Sequence, residues 1–161
     1  MLPVQDYHAT FKLIPVTSGD CASAQWSAEF EDVPEDRGKY EQIISQAVFA
    51  AGLAALGKQA KRQPSPAGAM CWQGARPAKV FCSSVLPVPV EAVWAVIRDF
   101  AGMTGWHPDL SDMHMLDGAR SDQVSGVRDF RLGDGWLQEQ LTLLCDRTRA
   151  FRYRTNTSLM A

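Results

Sequence analysis

Residues Tyr40-Glu-Gln-Ile-Ile-Ser-Gln-Ala-Val-Phe-Ala-Ala-Gly-Leu-Ala-Ala-Leu-Gly-Lys-Gln-Ala60 carry an apolar stripe at Tyr40, Ile43, Ile44, Ala47, Val48, Ala51, Ala54 and Ala55. A period near 3.6 predicts an amphipathic helix that begins after Pro34-Glu35-Asp36 and runs to about Ala60. At about 1.5 Å per residue, a helix of about 24 residues is roughly 36 Å long, enough to cross a whole sheet. Its apolar side is rich in Ala and includes Gly52, so it leaves room over whatever it covers, for close packing or for a cavity.

The segments before the helix have a different period. In residues 7 to 16, Tyr7, Ala9, Phe11 and Leu13 alternate with His8, Thr10 and Lys12, the pattern of a half-buried strand. After the turn Thr17-Ser18-Gly19-Asp20, residues 21 to 30 alternate Ala22, Ala24, Trp26, Ala28 and Phe30 with Cys21, Ser23, Gln25, Ser27 and Glu29, so the pair reads as an antiparallel hairpin. Residues 61 to 78 hold three prolines and two glycines without periodicity and read as a linker. A second unit follows. It contains a strand at 79 to 86, a helix from Val90 to about Phe100 with Pro89 near its start, and a short turn or helix to Leu110. Strands are expected at about 111 to 117, 124 to 132, 136 to 146 and 149 to 157, with Gly133-Asp134-Gly135 as a tight turn. The order predicts an α+β fold in which a curved antiparallel sheet of six or seven strands wraps the long helix.

With 161 residues the chain has room for one domain or two small ones. Sixteen basic against 18 acidic residues, a net charge of -2, argue against nucleic acid as a partner, because phosphate neutralisation needs clustered Lys and Arg. No run of about 20 uninterrupted apolar residues suggests a membrane span. Asp6, His8 and Lys12 stand where a signal peptide would be apolar, which points to a cytoplasmic protein. Cys21, Cys71, Cys82 and Cys145 are far apart without a CxxC, and His8, His107 and His114 are scattered, so reduced thiols and no metal are expected. No cofactor is expected either, for want of a phosphate-binding glycine loop.

The segment Lys79-Val-Phe-Cys-Ser-Ser-Val-Leu-Pro-Val-Pro-Val-Glu-Ala-Val-Trp-Ala-Val-Ile-Arg-Asp-Phe, with Gly105-Trp106-His107-Pro108, resembles the opening of the polyketide cyclase/dehydrase and lipid-transport superfamily. That START-like, or helix-grip, group includes the birch-pollen-allergen type, plant hormone receptors and lachrymatory-factor synthase. Residues 136 to 141, Trp-Leu-Gln-Glu-Gln-Leu, look like its fourth strand, and residues 7 to 60 are similar to its closing half. The resemblance therefore implies a helix-grip domain whose halves stand in exchanged order: 1–60 as the C-terminal half, 61–78 as linker and 79–161 as the N-terminal half, together one domain. Either the domain is circularly permuted or the chain spans the junction of two tandem domains. It would be a monomer closed on itself or a domain-swapped homodimer, since an exposed half-sheet must find a partner.

Strand alternation sets Leu137, Glu139, Leu141 and Leu143 on one face, and Arg128 beside Phe130 and Leu132. A turn at Asp134-Gly135 makes paired residue numbers sum to 269, placing Phe130 opposite Glu139, Arg128 opposite Leu141, and Arg128 diagonal to Glu139. Buried charges are costly unless paired, so an Arg128–Glu139 ion pair on the inward face is the natural expectation. The positions look like the Arg and Glu held to do acid/base work in the lachrymatory-factor synthase branch. A salt bridge at the cavity wall is the alternative. Tyr7 and Tyr153 fall on apolar faces; Phe11 and Trp26 are read as pocket lining or plain core; Phe130, Leu141 and Trp106 complete the candidate lining. Trp106-His107-Pro108 resembles a loop gating the cavity. His107 itself is read as an exposed loop histidine, with acid or base chemistry as the other possibility. Met103, Met113 and Met115 read as gap fillers or flexible walls. Asp99-Phe100 looks like a helix-end signature without chemistry.

The expected partner is a small hydrophobic or aromatic molecule held between sheet and helix. The alternatives are an enzyme of the cyclase, dehydratase or isomerase kind working without metal through Glu139 and Arg128, and a non-catalytic interaction module.

Overall fold

The computed structural model describes residues 4–16, 20–32, 38–60 and 79–156. The linker 61–78, the turn residues 17–19, Pro34-Glu35-Asp36, Cys71 and the tail 157–161 lie outside them. The elements follow in the order β1 (Val4–Val16), β2 (Cys21–Asp32), α1 (Lys39–Ala60), β3 (Val80–Leu86), α2 (Val90–Ile97), β4 (Leu110–Met115), β5 (Val127–Leu132), β6 (Gly135–Cys145) and β7 (Ala150–Thr155). A 3-10 turn at Gly102–Gly105 precedes β4.

The seven strands form one antiparallel sheet in the order β3-β2-β1-β7-β6-β5-β4, and α1 packs on it, so the fold is the helix-grip arrangement. Nearly all neighbours are consecutive in sequence. The exception is β1 beside β7, with His8 opposite Arg154 and Lys12 opposite Ala150, so the first and last described strands of the chain meet within the sheet. The alternation behind β1 and β2 produces the inner face directly: Ala9, Phe11, Leu13, Ala22, Ala24, Trp26, Ala28 and Phe30 are all buried. Edge strand β3 turns Val80 and Leu86 inward and leaves Phe81 and Val85 exposed on its outer side, an apolar pair for which the sequence offered no warning.

Three expectations require correction. First, the β5–β6 hairpin turns at Gly133-Asp134, Leu132 pairs with Gly135, and the paired numbers sum to 267 rather than 269. Arg128 is therefore directly opposite Glu139, and Phe130 opposite Leu137. Gly133 takes a φ of 60°, left-handed backbone that glycine adopts without a Cβ penalty, which lets the turn close one residue earlier. Because the partner moved by two residues, the inward faces were preserved. Second, the ladder between β6 and β7 shifts register between Leu141 and Leu143, so Leu143 points outward, 40% exposed, and Leu144 packs against the core instead.

The third correction concerns α1, which is α-helical over Lys39–Ile43 and Ala51–Ala60 but takes a π-turn over Ile44–Ala50. The wider turn takes up one additional residue and rotates everything after it. Tyr40 and Ile44 are buried as expected, but the second half buries Phe49, Gly52, Leu53, Leu56 and Ala60. Ile43, Ala47 and Ala54, expected on the apolar stripe, are exposed. Room on the inner face is used at Gly52 for close packing: a Cβ there would lie 2.7 Å from His107 Cδ2 and 2.8 Å from Trp26 Cζ3. By length and composition alone, the 22 residues of α1 are long and apolar enough to cross a membrane; here its inner face covers the sheet.

Candidate functional site

β5 and β6 bring Arg128 and Glu139 side by side on the concave face, 1% and 7% exposed. Arg128 donates from Nε and Nη2 to the same carboxylate oxygen, Oε2, at 3.0 and 2.5 Å. Its Nη1 donates to the carbonyl of Phe100, whose ring lies 3.7 Å beneath the guanidinium carbon. Phe130 and Tyr153 flank the same cation at 5.3 and 5.2 Å. Asp99-Phe100, which carries no chemistry in the sequence reading, follows the end of α2 and puts the Phe100 carbonyl on the third N–H direction of the cation. Both carboxylate bonds fall on Oε2, so Oε1 is engaged by neither. Burial pushes the Glu139 carboxyl above its usual range, and the adjacent Arg128 only partly opposes this.

Two tyrosines stand next to the pair. Trp26 Nε1–H, which can only donate, donates a hydrogen bond to the Tyr153 hydroxyl at 3.1 Å, and Tyr7 and Tyr153 are hydrogen-bonded through their side chains. Burial, first of all, holds both phenols above their ordinary range; the Glu139 carboxylate adds to this for each, behind the Tyr153 neighbour in the case of Tyr7.

A cavity of about 50 Å³ borders these groups. Of the residues expected at the site, Tyr7, Trp26, Arg128, Phe130, Glu139 and Tyr153 line it. Phe11, Leu141 and Trp106 do not. Phe11 is fully buried between Trp26 and Phe151, with ring centroids 5.2 and 5.6 Å away, in the middle of the sheet. Leu141 is fully buried opposite Tyr153. Trp106 packs against Phe11 and Trp26 at 6.5 and 6.2 Å, buried in the core rather than lining the cavity. Lining residues outside the candidate set are Val4, Ile44, Val48, Met103, Leu110, Leu132, Leu137 and Thr155. For Leu132 and Leu137 the signal was in the strand alternation, and for Ile44 and Val48 it was in the apolar stripe of α1.

His107 is not an exposed loop residue. It is 1% exposed, with Nε2 2.9 Å from the carbonyl of Val48 in the π-turn and Nδ1 3.3 Å from the backbone N–H of Asp109. Since Nδ1 accepts from that N–H, Nε2 carries the proton and donates to Val48. The turn before β4 is thereby tied to the middle of α1, over the cavity. Burial lowers the pKa of His107; the Val48 bond and Asp109 oppose the shift, and Arg128 adds to it. A folded pKa below 6.5 means that this group's contribution to stability is complete above pH 6.5 and is lost as the pH falls through that value towards the folded pKa. Glu139, raised, acts in the opposite direction on acidification. Comparing the parent with His107→Gln therefore isolates the histidine: between pH 7.5 and 5.5 the parent should lose stability relative to the variant, by at most about 1.4 kcal/mol per pH unit. Parallel urea-unfolding midpoints for the two proteins across that range would contradict the buried neutral assignment.

A groove of about 720 Å³ lies outside the cavity. Tyr40, Ile43, Ala47 and Val48 of α1 form one wall, Leu132 and Leu137 with the turn Gly133-Asp134-Gly135 the other, and Asp109 and Trp136 complete it. Val48, Leu132 and Leu137 border both spaces. Among the described residues no group of His, Cys, Asp or Glu could hold a metal ion.

A profile of the family described as polyketide cyclase/dehydrase and lipid transport matches residues 77–161. The matched stretch contains Arg128, Glu139, Tyr153 and the His107 turn, while Tyr7, Trp26, Ile44 and Val48 enter the site from outside it. No curated protein and no solved structure matches the chain.

Proposed function

The chain belongs to the polyketide cyclase/dehydrase and lipid-transport family, and on that premise we propose that it binds a small hydrophobic or aromatic molecule between the sheet and α1, oriented by Arg128 and Glu139. The observation that carries this reading is the buried ion pair on the wall of a cavity that adjoins a ligand-sized groove. A pair this desolvated contributes little to stability compared with apolar residues of the same volume, so its presence argues for what it can hold. The carboxylate oxygen left out of the pair accepts a hydrogen bond from a ligand, and the apolar surroundings strengthen that bond.

A second reading, an enzyme of the cyclase or dehydratase kind, is favoured by one observation: the Glu139 carboxyl is held above its usual range despite Arg128, as suits a base or acid working nearer neutral pH. Arg128 would then stabilise developing negative charge. The proposal includes no cofactor. We read residues 1–60 and 79–161 as closing and opening halves of the family's domain in exchanged order, supported by the confinement of the family match to 77–161 and by the β1–β7 pairing.

Native mass spectrometry of the protein purified gently from its own host tests the binding reading, with a retained small molecule as the expected result. Protein that arrives empty counts against a carrier. Candidate aromatic polyketides that turn over in the parent and stall in Glu139→Gln would favour the enzyme, and equal rates would remove Glu139 from any mechanism.

A further inference from the structure

β3, Val80-Phe-Cys-Ser-Ser-Val-Leu86, is an end strand of the sheet: it pairs with β2 along one side, and among the described residues no strand lies along the other. The outward backbone groups of such an edge are a template for a further strand unless something blunts it. β4, at the opposite end, is blunted. Its ladder with β5 is interrupted between Ser111 and His114, and Asp112 in the gap takes a φ of 55°, so a charged residue in left-handed backbone breaks that edge. β3 has none of these devices. Its seven residues include no charge and no proline, none takes a positive φ, and its pairing with β2 runs from Ala28 opposite Val80 to Ala22 opposite Leu86 without a register shift. Phe81, Ser83 and Val85 lie on its outer face, Phe81 57% and Val85 62% exposed.

The strand also reads alike in both directions. About Ser83 as centre, Val80 matches Leu86, Phe81 matches Val85 and Cys82 matches Ser84. Two copies that run antiparallel with their Ser83 residues facing each other therefore set apolar side chains opposite apolar ones and small opposite small. On the outer face Phe81 of each copy meets Val85 of the other, an aromatic and β-branched pairing that stabilises sheets. The two uncharged edges approach without repulsion. This fit of the strand to itself singles out a second copy of the chain as its partner. We propose that β3 is a dimerisation edge, at which two chains join β3 to β3 about a two-fold axis through Ser83 and make one continuous sheet out of two seven-stranded ones. No segment is exchanged, since β1 and β7 already close each chain's own sheet. The interface is separate from the ligand reading, because no residue of β3 lines the cavity or the groove. A contact between two seven-residue strands falls below the roughly 1,200 Å² of a standard interface, so the dimer exchanges with monomer, with a Kd of about 10–100 µM.

Sedimentation velocity of the whole chain at low ionic strength, between about 5 and 500 µM, tests this. The parent should pass reversibly from a 17.7 kDa monomer to twice that mass. Ser83→Lys, at an exposed position, sets two ammonium groups opposite each other on the axis and should weaken the dimer about fivefold while the thermal midpoint of the dilute monomer is unchanged. Ser83→Glu should act in the same way with two carboxylates. An equimolar mixture of these two variants should dimerise again, to within about twofold of the parent. Phe81→Ser/Val85→Ser removes both outer pairs and should weaken the dimer at least about tenfold. A parent that stays monomeric over the whole range, Lys and Glu variants that dimerise as the parent does or fail to recover on mixing, or indifference to the loss of Phe81 and Val85 would each overturn the inference. A dimer that persists on dilution and ignores all of these changes is an exchange of halves between chains, which overturns it too.

Discussion

Arg128→Met should destabilise the folded chain by about 3–5 kcal/mol at pH 7, because it strands the Glu139 carboxylate in an apolar site and leaves the Phe100 carbonyl without its donor. The double variant Arg128→Met/Glu139→Leu should recover most of this and unfold within about 1 kcal/mol of the parent, or beyond it, since the desolvation of both charges is removed together. The deficit of the single variant also depends on pH. With Arg128 gone, burial acts on Glu139 unopposed and its folded pKa rises further above the unfolded value. A raised carboxyl penalises the folded state progressively as the pH climbs through the folded pKa, so the deficit should shrink as the pH is lowered from 7 towards 5. Urea unfolding of the three proteins measures all of this. A single variant within about 1 kcal/mol of the parent at pH 7 would show that the pair is hydrated, and would remove the energetic argument for a ligand-orienting role.

Trp26→Ala should cost about 3–5 kcal/mol. The indole is 1% exposed, stacked on Phe49 with ring centroids 4.4 Å apart, and is the donor that holds the Tyr153 hydroxyl. Its removal opens a space continuous with the inner cavity, whose lining it forms. Indole added at saturating concentration should occupy that space and restore part of the loss, as apolar cavities in cores bind ring compounds of their own size. Trp26→Phe separates packing from hydrogen bonding: it keeps most of the ring volume, should cost less than the Ala change, and should weaken retention of any ligand that Tyr153 helps to orient. Thermal midpoints with and without indole distinguish these outcomes. A loss below about 2 kcal/mol with no response to indole would mean that the core has closed over the site, and that the cavity is not sustained by its walls.

The inner faces of the strands were legible wherever a period of two was enough. In β1 and β2 apolar residues alternate with polar ones, and each buried residue was assignable from its neighbours alone. The Arg128–Glu139 pairing could be inferred even from an incorrect turn, because the error of two in the pairing sum preserves the face. The phase of α1 was only half legible. Tyr40 and Ile44 belong to one helical row, and Phe49, Leu53, Leu56 and Ala60 to another with spacings of four, three and four. The misfit of one residue between these rows is the trace of the π-turn, but Ala at 47, 51, 54 and 55 is apolar enough to carry a regular 3.6 period through it.

The sequence by itself determined the antiparallel α+β architecture, the inward faces of its strands and the placing of one cation and one anion among apolar side chains, since these depend on local alternation and on the cost of burying unpaired charge. Only the tertiary structure decided the rest. The register of β6 on β7, the rotation of α1, the burial of His107 against Val48 and the division of the site into a small cavity and a larger groove all come from contacts between residues distant in the chain. Each is a compromise between packing surfaces and backbone hydrogen bonds that no single segment specifies, and the space left for a ligand is what those compromises leave unfilled.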